Sequence, residues 1–187
     1  SLAEGTLIGL LHADDLYASD HALSSVSDLY GKHPVDCIYG DLLYFRPGVR
    51  GARAIRRWSP GTFNPDRFRY GWMPPHPATF FHRDVFTRIG PYRLDLGTAG
   101  DYEFLLRSLF IARSTAAYLP RPITLMQTGG MSNRSLSARL AANRNDRRAW
   151  TVNGLRPPIL LPFLKPARKI SQYLAAARRS TVSWPSD

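Results

Sequence analysis

The chain has 187 residues, of which 44% are hydrophobic, and its formal net charge at pH 7 is +11. This composition excludes an intrinsically disordered chain and supplies enough apolar residues for one substantial core. The single cysteine, Cys37, excludes an internal disulfide. No apolar run reaches the roughly 18 residues that a membrane-spanning helix needs.

The positive charge is concentrated in the C-terminal part of the chain. Residues 134–187 contain eleven basic and two acidic residues, a net charge of +9, whereas residues 1–133 contain fourteen basic and twelve acidic residues, a net charge of +2. Such a basic segment either binds an anionic partner or forms a solvated charged face. We therefore divide the chain into a main domain, residues 1–133, and a basic tail, residues 134–187.

The first predicted elements follow from a short apolar run and the helical spacing after it. Residues 7–11 are apolar and end at the acidic pair Asp14-Asp15, which predicts a buried strand. Residues 19–30 have helical spacing, and Gly31 is placed to end that helix. The acidic pair has two interpretations, a routine turn or a site at the end of a strand.

The next segment is predicted to form a hairpin. Residues 35–39 and 42–45 have the composition of strands, and Gly40-Asp41 between them is a typical turn. Residues 49–72 then show no clear period, which predicts a long surface connection with one short strand near 52–56.

The main domain is predicted to continue with alternating strands and helices. In chain order these are a strand over 78–81, a helical turn over 84–88, a helix opening at Gly100, and two strands over 116–119 and 123–127. The helix at Gly100 has the clearest signal, because its apolar residues recur at helical spacing.

The tail is predicted to contain two helices separated by prolines. The first covers residues 136–150 and the second covers 167–179. The second has an apolar stripe beside basic residues. This pattern fits an interfacial membrane helix and a helix packed on its own domain equally well.

Four groups are candidates for a shared site. They are the Asp14-Asp15 pair, His76, Asp101 and the loop Gly129–Ser132. Each has an ordinary structural explanation by itself, such as a turn or a helix cap. The five histidines lack the spacing of a zinc site, and no Gly-x-Ser-x-Gly motif occurs.

Taken in order, these segments resemble the inverting family 2 glycosyltransferases of the GT-A fold, in the branch that builds bacterial polysaccharides. The resemblance extends over roughly residues 3–133 and is looser in the tail. The residues that carry it are Gly9–Asp15, Ile38–Asp41, His76–Arg83, Phe86, Ile89-Gly90, Gly100–Arg107 and Gly129–Ser132. His12 stands where the family has Asn, a difference expected to alter donor contacts.

The resemblance implies a GT-A-like, Rossmann-like α/β fold in which helices flank a mixed sheet. Members of the family open with strand-helix units that bind the nucleotide, and the chain contains no such units. We therefore expect an N-terminally truncated domain that holds the metal-binding and acceptor sides. Alone, this domain is expected to bind donor poorly and to be impaired. Asp14-Asp15 is then expected at the end of a central strand.

The resemblance also implies an activity and a set of site residues. The reaction transfers a sugar from a nucleotide-diphosphate donor to a hydroxyl of a saccharide or lipid-linked acceptor, in polysaccharide or glycolipid biosynthesis. Asp15 and Asp14 would hold Mg²⁺ or Mn²⁺, cations that prefer carboxylate oxygens. Asp101 resembles the general base of a single, inverting displacement. His76 and Ser132 would contact the donor diphosphate or the acceptor.

The resemblance places the protein in the bacterial cytoplasm, peripheral on the inner face of the plasma membrane, where the tail would contact an anionic surface. Two other functions fit parts of the sequence, a nucleic-acid-binding module and a non-catalytic membrane-associated scaffold. Aromatic residues among arginines favour the first. However, the charge is concentrated in the tail and no known RNA-binding motif occurs, so no nucleic-acid partner is expected.

Overall fold

The computed structural model describes residues 3–45, 54–128, 136–159, 161–162 and 172. It contains six strands and four α-helices in these ranges: β1 (Leu7–Gly9), β2 (Leu16–Tyr17), α1 (Ala22–Lys32), β3 (Cys37–Phe45), β4 (Arg56–Trp58), β5 (Thr79–His82), α2 (Arg83–Ile89), α3 (Gly100–Leu105), β6 (Ala116–Gln127) and α4 (Leu136–Thr151). Short 3₁₀-helices cover Pro65–Tyr70, His76–Ala78 and Leu94–Ala99, and α3 continues as a π-helix over Leu106–Ile111.

The six strands form one mixed sheet. Its order is β1-β5-β3-β6-β2, and β4 pairs with the second half of β3. Strands β3 and β6 are parallel, whereas the other pairs are antiparallel. The predicted mixed sheet with flanking helices is therefore confirmed.

Helices cover both faces of this sheet because successive strand residues point in opposite directions. Tyr39 and Phe81 lie in one core cluster with residues of α2, α3 and α4. Ile38 and Phe80 lie in a second cluster, which includes Val26 of α1. The sheet is thus the middle layer of three.

The first helix of the basic tail packs on the main domain. Trp150 of α4 is fully buried, and its indole Nε1 donates a hydrogen bond of 2.8 Å to the hydroxyl of Tyr102 in α3. The predicted helix over 167–179 lies outside the described residues except for position 172. In the portion that the structure covers, no helix has the length and apolar character needed to cross a bilayer.

The predicted hairpin at Gly40-Asp41 is wrong, because β3 runs through it without a turn. Gly40 is buried against Ile123, where a Cβ atom would lie 2.6 Å from the side chain. Asp41 is fully buried and accepts hydrogen bonds from Arg57 and Tyr118. These distant partners stabilise an extended conformation that the local sequence disfavours.

The two strands predicted over 116–119 and 123–127 are one strand, β6. Its pairing with β3 shifts register on both sides of Asp41, which opposes Pro122. A bulge of this kind accommodates proline, which cannot donate a backbone hydrogen bond to a regular ladder.

The prediction of a buried, central strand over residues 7–11 is also wrong. Strand β1 has three residues, and within the described ranges it pairs only with β5, so it lies at an edge of the sheet. Its residues are half-buried or exposed, and Leu10 and Leu11 after it are more than 40% exposed.

Smaller differences concern the ends of elements. Helix α1 begins three residues later than predicted and continues through Gly31 to Lys32. The short strand expected near 52–56 is β4, which begins at Arg56. The predictions for β5, α2, α3 and α4 are confirmed to within one or two residues.

Gly40→Ala is expected to lower the free energy of unfolding by about 1–3 kcal/mol, since the added methyl group overpacks the core. The new Cβ atom would lie 2.6 Å from Ile123 and 2.9 Å from the carbonyl oxygen of Arg121. Urea unfolding followed by circular dichroism measures the change.

Gly31→Ala is the matched control. Nothing lies within 4 Å of its added methyl group, so we expect stabilisation by about 0.5–1 kcal/mol in this helical position. Equal effects of the two substitutions would contradict the packing argument.

Candidate active site

Three of the segments singled out in the sequence meet at one end of the sheet. Asp15 and His12 follow β1, and His76 immediately precedes β5, which is antiparallel to β1. Gly9 at the end of β1 is paired with Phe80 near the start of β5, so the residues beyond both strand ends are neighbours. Asp101 reaches the same place from the first turn of α3.

Asp15 is a buried carboxylate without a hydrogen-bond partner. Its backbone N–H donates to the carbonyl of His12 at 3.0 Å, which closes a turn and directs the side chain inward. The residue is 4% exposed, and neither carboxylate oxygen has a hydrogen-bond partner. Burial, and then the neighbouring Asp14, raise the pKa of Asp15 above its ordinary value. These two effects outweigh the lowering by His12 and by the backbone N–H of Gln127, which approaches the carboxylate without making a hydrogen bond of ordinary geometry.

His76 is a buried imidazole with one partnered nitrogen. Its Nε2 lies 2.9 Å from the hydroxyl of Tyr92, whereas its Nδ1 has no hydrogen-bond partner. Nδ1 faces the carboxylate of Asp101 at 4.0 Å. The pKa of His76 is lowered, because the effect of burial is larger than the opposing effect of Asp101, and His12 lowers it further. The imidazole is therefore neutral at pH 7.

Asp101 presents its carboxylate to solvent. Its side chain is 49% exposed, although the helix that carries it is almost entirely buried. The preceding Gly100 lies so close to the carbonyl of Arg93 that a Cβ atom would be 2.9 Å from that oxygen. The start of α3 is therefore fixed by packing, and an accessible carboxylate projects from a rigid position.

A buried ion pair ties α3 to the loop that carries Tyr92. Glu103 is fully buried, and Arg107, one helical turn later, donates to it at 2.7 Å. The guanidinium of Arg107 also donates to the carbonyls of Ile89 and Pro91, just before Tyr92. Asn153 beyond α4 donates to the same carboxylate at 3.0 Å. The loop and the helix are thus held in one fixed arrangement.

The structure brings His76 and Asp101 into direct proximity, and it places His12 where its charge affects both Asp15 and His76. Asp14 is exposed beside Asp15. Ser132 and its glycine-rich loop lie outside the described residues.

Sequence reasoning missed Tyr92 and the Glu103–Arg107 pair. Tyr92 follows a proline in an irregular segment, and no local pattern distinguishes it from any other loop aromatic residue. Glu103 and Arg107 have the i,i+4 spacing of a helical ion pair, and this signal could have identified them.

The chemistry of Asp15 fits a divalent cation. A buried carboxylate with two partnerless oxygens is costly unless a cation or hydrogen-bond donor approaches it, and carboxylate oxygens suit Mg²⁺ and Mn²⁺. Over the described ranges no group of three or more His, Cys, Asp or Glu side chains is placed to hold a metal. Asp15 and the adjacent Asp14 therefore provide at most part of a coordination sphere.

Comparison with known proteins gives the family relationship. No family model matches the chain. The chain is 33% identical over 135 residues to the PGL/p-HBAD biosynthesis glycosyltransferase of Mycobacterium tuberculosis, a match covering 71% of this chain and 49% of the relative. The chain is homologous to glycosyltransferases. The protein of the same name from Mycobacterium bovis matches equally well. An uncharacterized glycosyltransferase of M. tuberculosis is 35% identical over 114 residues, covering 58% of this chain and 40% of that protein.

This glycosyltransferase homologue spans about half the length of the curated relatives it matches. The resemblance to glycosyltransferases inferred from the sequence is confirmed. Among solved structures, the chain is similar to Staphylococcus aureus TarS 1-349, with a TM-score of 0.48 and 14% identity over 94% of this chain and 66% of that chain. TarS 1-349 in complex with UDP-GlcNAc gives a TM-score of 0.46, with 14% identity over 93% of this chain and 56% of that chain.

Proposed function

We propose that the chain is part of a glycosyltransferase of the inverting, GT-A type, which transfers a sugar from a nucleotide-diphosphate sugar to an acceptor hydroxyl. The observation that carries the proposal is the convergence of an accessible carboxylate, Asp101, with the turn that holds Asp14 and Asp15, in a chain homologous to glycosyltransferases. Such a transfer needs one group to accept the proton of the acceptor hydroxyl and another to stabilise the negative charge of the leaving diphosphate.

Asp101 is the general base in this proposal. A base must reach the acceptor hydroxyl, and the half-exposed carboxylate of Asp101 is accessible to a ligand entering from solvent. It accepts the hydroxyl proton as the acceptor oxygen attacks the anomeric carbon and the nucleoside diphosphate leaves from the opposite side. One displacement of this kind inverts the configuration at the anomeric carbon.

Asp15, with Asp14, would hold a divalent cation, Mg²⁺ or Mn²⁺. When bound, the cation neutralises the negative charge that develops on the diphosphate. The two carboxylates are adjacent in sequence, and Asp15 is buried whereas Asp14 is exposed. His76 and Ser132 remain proposed contacts of the diphosphate or acceptor.

The proposed acceptor is a saccharide or a lipid-linked saccharide in the synthesis of bacterial polysaccharide or glycolipid. We place the protein in the cytoplasm because of its resemblance to the family, and at the inner face of the plasma membrane because its +11 net charge is concentrated in residues 134–187. Anionic lipids attract such a segment.

Release of nucleoside diphosphate tests the proposed function. The chain is incubated with Mn²⁺ and with UDP-, GDP- and dTDP-sugars, each with and without a panel of saccharide and lipid-linked acceptors. A fusion to the unmatched half of the M. tuberculosis relative serves as a second form of the enzyme. Acceptor-dependent release in either form supports the proposal. Absence of release from both forms with every donor would contradict it.

Asp15→Asn is expected to stabilise the metal-free protein by about 1–2 kcal/mol, since it removes a charge from a buried site without a partner. In the wild type, Mn²⁺ at about 100 times its Kd is expected to add about 2.7 kcal/mol. The variant should lose this gain. Thermal unfolding in EDTA and in Mn²⁺ measures both effects without an activity assay.

The matched control is Asp28→Asn, which makes the same charge change on the exposed side of α1. We expect the control to retain the stabilisation by Mn²⁺. An Asp15→Asn protein that responds to Mn²⁺ like the wild type would show that the cation binds elsewhere.

A further inference from the structure

We propose that Tyr92 and His76 form a positioning pair that holds the carboxylate of Asp101 from the buried side of the site. Tyr92 lies in the loop after α2, His76 in the turn before β5, and Asp101 in α3. The inference rests on the proposed function for the role of Asp101 as the base. It adds a role for Tyr92 and His76 that is exercised through the carboxylate of Asp101.

The first step is the protonation pattern of the imidazole. Tyr92 lies 2.9 Å from Nε2 of His76, and burial raises the pKa of the Tyr92 hydroxyl, which keeps it protonated as a hydrogen-bond donor. When the hydroxyl donates to Nε2, the neutral imidazole carries its proton on Nδ1, because the bond made by one ring nitrogen sets the state of the other.

The second step is where Nδ1 points. This nitrogen is buried, has no hydrogen-bond partner, and lies 4.0 Å from Oδ2 of Asp101. A buried N–H without a partner is costly, and a carboxylate is the strongest acceptor available to it. Catalytic hydrogen bonds are often long in ligand-free proteins and tighten when substrate binds. Closing this gap by about 1 Å gives a hydrogen bond of ordinary length.

The surroundings of His76 favour this arrangement. Three titratable groups affect or contact it: Tyr92 from the loop, Asp101 from α3 and His12 from the segment after β1. The carboxylate of Asp101 attracts the Nδ1–H and so favours this tautomer. Burial keeps the ring neutral, so the doubly protonated imidazolium is not formed at pH 7. Arg107 fixes the loop before Tyr92 through carbonyls of residues 89–91, so the hydroxyl is held in place.

Nitrogen-15 NMR of the labelled 187-residue chain tests the pair without any transfer assay. We expect His76 to be neutral at pH 7 with its proton on Nδ1. His76→Asn assigns the signal by removing it. A wild-type His76 with its proton on Nε2 would overturn the proposal.

Two variants test the links on either side of His76. Tyr92→Phe removes the donor to Nε2, and the major tautomer should move to Nε2–H. Asp101→Asn removes the carboxylate that raises the pKa of His76, and that pKa should fall further. An unchanged titration of His76 in Asp101→Asn would overturn the proposal. Asp101 is half exposed, so this variant remains informative even where Tyr92→Phe does not fold.

Transfer kinetics separate this inference from the proposed function. Tyr92→Phe is expected to lower kcat about 2- to 10-fold with little change in donor KM, the size of one hydrogen bond. If the NMR results hold while Asp101→Asn leaves transfer intact, the base assignment fails and the pair remains. If Asp101→Asn abolishes transfer while His76 titrates unchanged, the pair fails and the proposed function remains.

Discussion

Asp101→Asn is expected to slow sugar transfer by roughly 10²–10⁴-fold, the usual contribution of a positioned general base. The amide preserves the size and shape of the side chain but cannot accept the acceptor's proton. Because Asp101 is 49% exposed and projects from a helix fixed by Gly100, the substitution should leave the fold intact. Initial rates with a radiolabelled donor measure the loss over this range.

The loss should fall on the chemical step and not on donor binding. Calorimetric titration of the donor should therefore give the same Kd for the variant and the wild type. Asp95→Asn is the matched control, because Asp95 is 46% exposed, lies six residues earlier and loses the same charge. The control should retain a rate close to that of the wild type. A rate for Asp101→Asn within about threefold of the wild type would assign the base to another residue.

The parts of the fold that were predictable have a local cause. In α3 and its continuation, Tyr102, Leu105, Leu106 and Leu109 recur at the helical spacing that predicted the helix, and all four are buried. Strand β5 was predictable because prolines immediately precede a short run that contains two aromatic residues. In both cases the residues that determine the conformation lie within the segment itself.

The parts that were not predictable depend on distant residues. Gly40-Asp41 has the local character of a turn, yet it continues a strand because its partners come from elsewhere in the chain. Arg57 lies 16 residues from Asp41 and Tyr118 lies 77 residues away. Pro120 likewise suggests a break in β6, and only the bulge opposite Asp41 shows how the strand accommodates it. Local propensity contains no information about such pairs.

The residues of the candidate site also fall into those that the sequence could indicate and those that it could not. Asp15 and Asp101 became candidates through the resemblance of the whole ordered set of motifs, since each alone is an ordinary turn or helix-start residue. Tyr92 had no such signal, because its significance depends on a contact with His76, 16 residues earlier. The three-dimensional arrangement therefore adds residues that surround the proposed site, whereas Asp15 and Asp101, the groups proposed to hold the cation and to act as the base, could be indicated from the sequence.

Asp41→Ala is expected to lower the free energy of unfolding by about 3–5 kcal/mol, the largest stability effect predicted for this protein. The carboxylate is fully buried and accepts from Arg57 at 2.6 Å, Ser59 at 2.8 Å and Tyr118 at 2.5 Å. Its removal leaves a largely buried guanidinium and two hydroxyls without their acceptor at the centre of the sheet. Urea unfolding of both proteins at pH 7 measures the difference.

The surface pair of Asp66 and Arg113 provides the matched control for this buried network. Its two side chains are more than half exposed and meet at 3.0 Å, so Asp66→Ala should cost at most about 1 kcal/mol. The contrast isolates burial, because both substitutions remove an aspartate from an arginine. Raising the salt concentration should reduce the small effect at Asp66 and leave the large one at Asp41, where ions do not penetrate. A similar cost for both would mean that solvent replaces the lost carboxylate of Asp41, and the continuity of β3 through Gly40-Asp41 would then require another cause.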